Sequence, residues 1–435
     1  MREGRTAESP SCPKRILYLS DFCPWPLDNG FRQRIYHLLQ SLSRRHEVTL
    51  ATVMPDSYLE KSFPPAQNCV ELVPLSDADC AFNQTERFEK WAPPAQRLRS
   101  LVTSPFPNLV RRYRSARIQQ KLRALFERRS FDAVWAERSF IAELARRAGF
   151  RRIVVDLPDV ETVSYTRAVA HGGWYPSKPL HLLEQAKLYA YDQALPLRFW
   201  RVVVCKEEDR LFFRLRRSNV VTLPNGVADY PASPDVATGD APRLMFVGAL
   251  NFESNIFAVQ FFTRSVMPLI RREYPGADFV VVGRDPLPVI LDLQNRRECT
   301  VLTGISDLTP QFDAASLFVA PIYLGGGTRL KVLEAMARGK GVVATTIAAE
   351  GLEVRPGIDL EIADSAEAFA AACCRLLRDA GARRRMAASG RSRVLERYRW
   401  EDLTAIAETV LSDRPQGVRP ENPPRDMPAE RPEAV

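Results

Sequence analysis

The sequence predicts an α/β protein built from two doubly wound, Rossmann-like domains that face each other across a cleft. Three observations carry this. Short apolar runs alternate with helical patterns along both halves of the chain. A length of 435 residues is more than one ordinary α/β core needs and suits two. The alternation breaks once, at residues 224–242, where Pro224, Asn225 and Gly226 precede a stretch rich in Pro, Asp, Ala and Gly, as a linker requires.

Residues 1–13 read as a disordered lead, and a first domain spans 14–223. Ile16 to Ser20 is a buried strand. A turn-rich loop, DFCPWPLDNG, leads to a helix whose apolar residues Phe31, Ile35, Leu38, Leu39 and Leu42 share one face. Val48 to Val53 is the next strand, which completes a βαβ unit. An arginine-rich helix is expected over 111–129, with Ile118, Leu122, Leu125 and Phe126 inward. Strands follow at Ala133–Ala136, Ile153–Asp156 and Val202–Cys205. A second domain over 243–395 opens with strand Leu244–Val247, which ends at Gly248. Ser254 or Asn255 is expected to cap the next helix. Strands recur at Phe279–Val282, Thr300–Leu302, Leu317–Ala320 and Val342–Ala344. A terminal helix at 396–412 is expected to pack back on the first domain, and the proline-rich residues 413–435 read as a disordered tail.

The chemistry concentrates after strand SLFVAP. Gly325, Gly326 and Gly327 lead into a helix from about Thr328 to Arg338, and Gly339 sits where a C-cap belongs. Glycines at a helix start let backbone N–H groups approach a ligand, and the helix dipole favours an anion there. Arg329 and Lys331 oppose that dipole in the first turn, a local conflict that a bound phosphate would relieve. Glu334 shares the face of Gly327 and Lys331, one turn deeper, where a carboxylate can accept hydrogen bonds from a ribose diol. The competing reading of Glu334 is a surface ion pair with Lys331. Leu330, Leu333 and Ala337 are assigned to the core face.

The string GGGTRLKVLEAMARGKGVVAT resembles the donor-site block of retaining family 4 glycosyltransferases, which have the GT-B fold. LPNGV, FVGALNFESNIFAVQFF, VVGRDP, TGISD and ERYRWEDL fit the same pattern in order. The stretch ILYLSDFCPWPLDNGFRQRIYHLLQSLSRRHEVTLATV is similar to members that make bacterial exopolysaccharide. The resemblance implies a hexosyltransferase-type enzyme acting on a nucleotide-diphosphate sugar, with retention, and a glycan or polyprenyl-linked acceptor. It implies that Glu334 holds the donor ribose and that Gly30 approaches the diphosphate from the opposite domain. It carries Gly248, Asn255, Gly283, Arg284, Gly325, Gly326, Gly327 and Thr328 into the donor site. Two departures stand out. The family often has a second glutamate seven residues before Glu334, and that position is Gly326. A lysine expected before the helix after FVG is replaced by Ser254 and Asn255, leaving Arg329 and Lys331, with Arg284, to supply the charge.

Asp156 and Asp159 lie at a strand end facing the cleft. Asp159 is a candidate to orient the acceptor hydroxyl or act as a base, with helix capping as its alternative; Glu137 is equally ambiguous. His37 reads as structural. Asp77-Ala78-Asp79 matches a metal-binding DxD pattern, but that reading would leave the glycine block unexplained. No metal and no cofactor are expected, because amides and cations can stabilise a leaving diphosphate. The eight cysteines show neither CxxC nor zinc spacing, which suits a reduced, cytoplasmic protein. A net charge of +9 suits an anionic partner. Nucleic acid is disfavoured, since no recognition module is present. The basic helix with Arg111, Arg112, Arg114, Arg117, Lys121 and Arg123 is a candidate for peripheral contact with anionic membrane. An epimerase of the same fold and a non-catalytic sugar-nucleotide-binding subunit are the alternatives.

Overall fold

The computed structural model describes residues 13–52, 69–75 and 105–412, apart from 22, 26, 28, 113–114, 172, 237–240 and 297. The Asp77–Asp79 pattern, the lead before residue 13 and the tail after 412 lie outside these residues, as do Arg114 and the side chain of Arg112.

Two all-parallel sheets form the frame. The first has seven strands: β1 (Arg15–Ser20), β2 (Glu47–Thr52), β3 (Cys69–Pro74), β4 (Ala133–Glu137), β5 (Ile153–Leu157), β6 (Arg201–Val204) and β7 (Val220–Thr222). Their spatial order is β3-β2-β1-β4-β5-β6-β7. The second has six: β8 (Arg243–Val247), β9 (Asp278–Val282), β10 (Thr300–Leu302), β11 (Leu317–Ala320), β12 (Val342–Ala344) and β13 (Glu361–Ile362). Their order is β10-β9-β8-β11-β12-β13. Both are doubly wound, as the alternation predicted. Strand order reverses between β1 and β4, and again between β8 and β11. In such sheets ligands bind beyond the carboxyl ends at these reversals.

The central strands are buried runs, β5 along its whole length and β1 from Ile16 onward, as parallel sheets covered on both faces require. Each sheet has its own apolar core. The segment after Leu223 is pinned to the second domain: Lys340 Nζ donates to the carbonyl of Pro234, and Arg383 holds Asp235 at 2.8 Å. Helix Trp400–Val410 returns to the first domain. It packs on helix Gly30–Ser43, where His37 stacks on Trp400 at 4.7 Å, and burial lowers the His37 pKa to about 4.

Local expectations differ in three places. The arginine-rich helix is two helices, Asn108–Arg112 and Ala116–Arg128, because Ser115 caps the second by accepting from the N–H of Ile118. Phe126 is exposed rather than inward and rests its edge on Phe150. Neither Ser254 nor Asn255 caps its helix, whose N-cap is Phe252. The side chain of Asn255 is committed elsewhere.

Candidate active site at the cleft between the domains

The second sheet builds one wall. Gly248 ends β8 and Gly283 follows β9. A Cβ on Gly283 would stand 1.9 Å from the Gly248 carbonyl, so Gly283 lets two strand ends touch, and one on Gly248 would stand 2.6 Å from Lys331 Nζ. Arg284 lies against Asp285 at 3.7 Å. Asn255 donates to the Ala249 carbonyl and accepts 2.7 Å from Lys331 Nζ. Lys331 sits 4.3 Å over the face of Phe246, beside Gly248.

The helix after the glycine run is Leu330–Ala337, starting two residues later than expected. Gly339, at φ +70, closes it, with Lys340 N–H donating to Ala335 and Gly339 N–H to Met336. Arg329 folds back over the loop and donates to the carbonyls of Gly326 and Leu324. Among the described residues, neither Arg329 nor Lys331 makes a salt bridge. Burial lowers the pKa of both; the field of Arg329 lowers Lys331 further, whereas Asp159 opposes the lowering of Arg329. Two neighbouring buried cations, neither in a salt bridge among the described residues, at a strand-order reversal, form a site suited to negative charge.

Glu334 is placed differently from expectation. It pairs with Arg338 at 3.1 Å and not with Lys331. Arg338 is buried against Tyr230 and Phe312 and needs a counter-charge, which the residue four positions earlier supplies. Burial nevertheless raises the pKa of Glu334, with Arg338 opposing. Leu330 is half-buried against the core of its own domain, as assigned, and also reaches the first domain. It packs across the cleft on Gly30, where a Cβ would come within 2.8 Å of its Cδ1. Gly30 is the first residue of its helix, and Asn29 provides the cap.

The glycine loop meets the first domain directly. Gly325 and Gly327 have φ of +94 and +62, conformations that favour glycine. A Cβ at Gly326 would lie 2.0 Å from Asp159 Oδ1 and 2.7 Å from Ser164 Oγ; one at Gly327 would lie 2.5 Å from the Pro158 carbonyl. The run therefore admits the turn after β5 as well as any ligand. Asp159 caps no helix through its side chain among the contacts described: Val160 O receives the N–H groups of Val163 and Ser164 instead. Asp159 Oδ1 and Ser164 Oγ are buried against the loop with no hydrogen-bond partner among the described residues. Thr328 donates to the Cys205 carbonyl. Asp156, by contrast, is structural, held at 2.7 Å by the buried Arg34.

Sequence reasoning missed an ionic bridge between the domains. Arg167, on helix Glu161–His171, donates to the Gly325 carbonyl and to Glu350 at 2.7 Å each. Lys206, just past β6, reaches Glu350 at 2.9 Å and Asp209 at 3.5 Å. The available signal was position: Lys206 follows a strand end, and Glu350 follows the helix after β12. Burial would raise Glu350, but hydrogen bonds from Arg167 and Lys206 outweigh it and hold the pKa at about 2. A carboxyl depressed in the folded state stabilises above its unfolded pKa and loses that contribution as pH falls towards the folded one. Glu350→Gln should therefore lower the thermal midpoint at neutral pH and flatten its decline between about pH 4.5 and 2. A midpoint-versus-pH curve superimposable on wild type would show that the bridge contributes nothing.

The first sheet has its own feature at the β1/β4 reversal. Glu137 ends β4, accepts from Ser20 Oγ at 2.6 Å, and is raised to about 8 by burial and the nearby Asp21. The next residue, Arg138, has φ +71, an uncommon backbone for a non-glycine residue.

Comparison with known proteins follows this geometry. Residues 241–379 match the family model described as glycosyl transferases group 1. A 44.6 kDa protein in the cps region of Klebsiella pneumoniae is 22% identical over 377 residues, covering 82% of this chain and 89% of that one. Sucrose-phosphate synthase from Thermosynechococcus elongatus has a similar structure, with a TM-score of 0.66 at 16% identity over 91% of this chain and 98% of that one. HepE of Anabaena, solved in complex with UDP and glucose, gives 0.62 at 15% identity, over 92% and 100%. These likenesses establish the GT-B arrangement of two Rossmann-like domains. A glycosyl transferases group 1 domain carried on that fold makes this chain a glycosyltransferase.

Proposed function

We propose that the enzyme transfers a hexose from a nucleotide-diphosphate sugar to a glycan or lipid-linked acceptor, with retention at the anomeric carbon. The observation that carries the reading is the pair of buried cations, Arg329 at the glycine loop and Lys331 beside Gly248 and Asn255, neither of which makes a salt bridge among the described residues. In this reading they stabilise the diphosphate as its bond to C1 breaks. The acceptor oxygen bonds to C1 on the same face, and its proton passes to the departing phosphate oxygen. Asp159 and Ser164 receive the acceptor hydroxyl and orient it. The charge is met by fixed cations and amides, so the step calls on no metal. The fold likeness to a protein solved with UDP and glucose supports a nucleotide-sugar donor. The relative from a cps region supports a role in polysaccharide biosynthesis. In this reading the first domain takes the acceptor and the second the donor. None of the described helices is long and apolar enough to cross a membrane.

A thermal-shift screen with UDP-, GDP- and ADP-sugars tests the donor class. A saturating donor should stabilise by about 2.7 kcal/mol at a hundred-fold excess over its Kd. No shift with any of the three would remove the reading. Glu334→Gln tests the ribose role while its amide oxygen keeps the bond to Arg338. Loss of a charge-assisted bond should weaken nucleotide binding about ten-fold, or ~1.4 kcal/mol, with a folded protein. Binding equal to wild type would leave Glu334 as the partner of Arg338 alone.

A further inference from the structure

A groove of about 670 Å³ runs over the first domain between helices Glu161–His171 and Lys178–Gln193. That volume is within the range of small-molecule sites. Its walls are Val163, Leu182, Ala186, Tyr189 and Phe212. Its other lining residues are engaged with neighbours. Thr162 Oγ1 donates to Asp192, Gln185 donates to Thr166, and Arg167 is engaged by Gly325 and Glu350. A groove with a largely apolar lining, whose Thr162, Thr166, Gln185 amide N–H and Arg167 already have partners, gives a polar ligand little to bind and suits hydrocarbon.

Its position gives it an occupant. Arg167 lines the groove and also touches the glycine loop, so one end abuts the cleft beside Asp159 and Ser164. At the other end, beyond Phe212, Leu211 and Leu215 are 52% and 46% exposed and alternate with the exposed Arg214 and Arg216. Apolar side chains interleaved with cations fit an anionic lipid surface. We propose that this groove seats the hydrocarbon chain of a lipid-linked acceptor, with the chain running from the membrane-facing rim to the cleft and its polar head delivered beside the glycine loop. This rests on the transferase reading above and adds which acceptor class the first domain takes.

The test uses farnesyl monophosphate below its micellar concentration, with inorganic phosphate as control, on the full-length protein. Wild type should bind the farnesyl compound saturably and inorganic phosphate at least ten-fold more weakly. Ala186→Trp fills the groove and Leu182→Asp puts a charge on its wall. Both positions are solvent-exposed, so both variants should keep the wild-type thermal midpoint. Each should weaken farnesyl binding at least ten-fold and leave the shift produced by UDP unchanged. Equal farnesyl binding by wild type and both variants overturns the groove assignment, as does equal binding of the two probes by wild type. A wild-type protein that no nucleotide sugar stabilises overturns the transferase reading, and with it the acceptor role, whatever the groove binds.

Discussion

Lys331→Met should lower turnover by a factor of about a hundred to a thousand while leaving the protein folded. Removal of one preorganised donor to developing negative charge typically costs this much. Lys331 has the features that make such a donor effective: it is held by Asn255, shielded by Phe246, and without a counter-ion among the described residues. The same features make it a burden on the empty protein. Burial and Arg329 depress its pKa, so between the folded and unfolded pKa values the unfolded chain binds more protons. Stability should therefore rise with pH through that window in wild type, and this slope should vanish in the methionine variant. At neutral pH the variant should melt higher than wild type without ligand and gain less from UDP. Turnover measured on the sugar nucleotide, with thermal midpoints at several pH values, checks both halves. Unchanged turnover would exclude the residue from the diphosphate site.

Gly326→Glu should cost at least a hundred-fold in activity, although it supplies the second glutamate that the family 4 resemblance leads one to expect at that position. Any side chain there must displace Asp159, whose oxygen is 2.0 Å from the Cβ position. The added carboxylate also faces the existing one in a buried setting, which disfavours ionisation of both. Each domain retains its own core, so the loss should appear in kcat and KM rather than in secondary structure. Combining it with Asp159→Gly should recover at least ten-fold over the single variant, because one carboxylate then enters from the opposite side. A fully active Gly326→Glu enzyme would mean that the contact between Gly326 and Asp159 is not made during turnover.

The fold was largely legible in the sequence, because parallel strands buried on both faces leave short, nearly continuous apolar runs. β5, IVVDL, and β11, LFVA, are examples. Gly339 marked a helix end because only a left-handed residue completes that cap. The glycine run marked the site, but its cause is double. Phosphate cradles and close approach of a second backbone ask for the same residue, and the sequence does not distinguish them. The pairing of Glu334 with Arg338 was missed because helical periodicity fixes a face and not a partner; the buried Arg338 one turn later sets the direction of the carboxylate. Arg167, Lys206 and Glu350 were missed since each is an ordinary surface charge until the two sheets are brought together.

The main chain passes between the domains twice, and the two passages lie side by side. Val227 bridges to Arg399, and its N–H donates to the Tyr398 carbonyl at 2.6 Å. Gly226 is pressed on Trp400, where a Cβ would stand 2.5 Å from the indole. A single linker would let one half swivel in any direction. A paired ribbon resists torsion about its own length and bends most easily across its flat side. The relative travel of the halves is thereby restricted to a narrow arc, so each return stroke carries Leu330 to Gly30 and Gly326 to Asp159 in the same alignment.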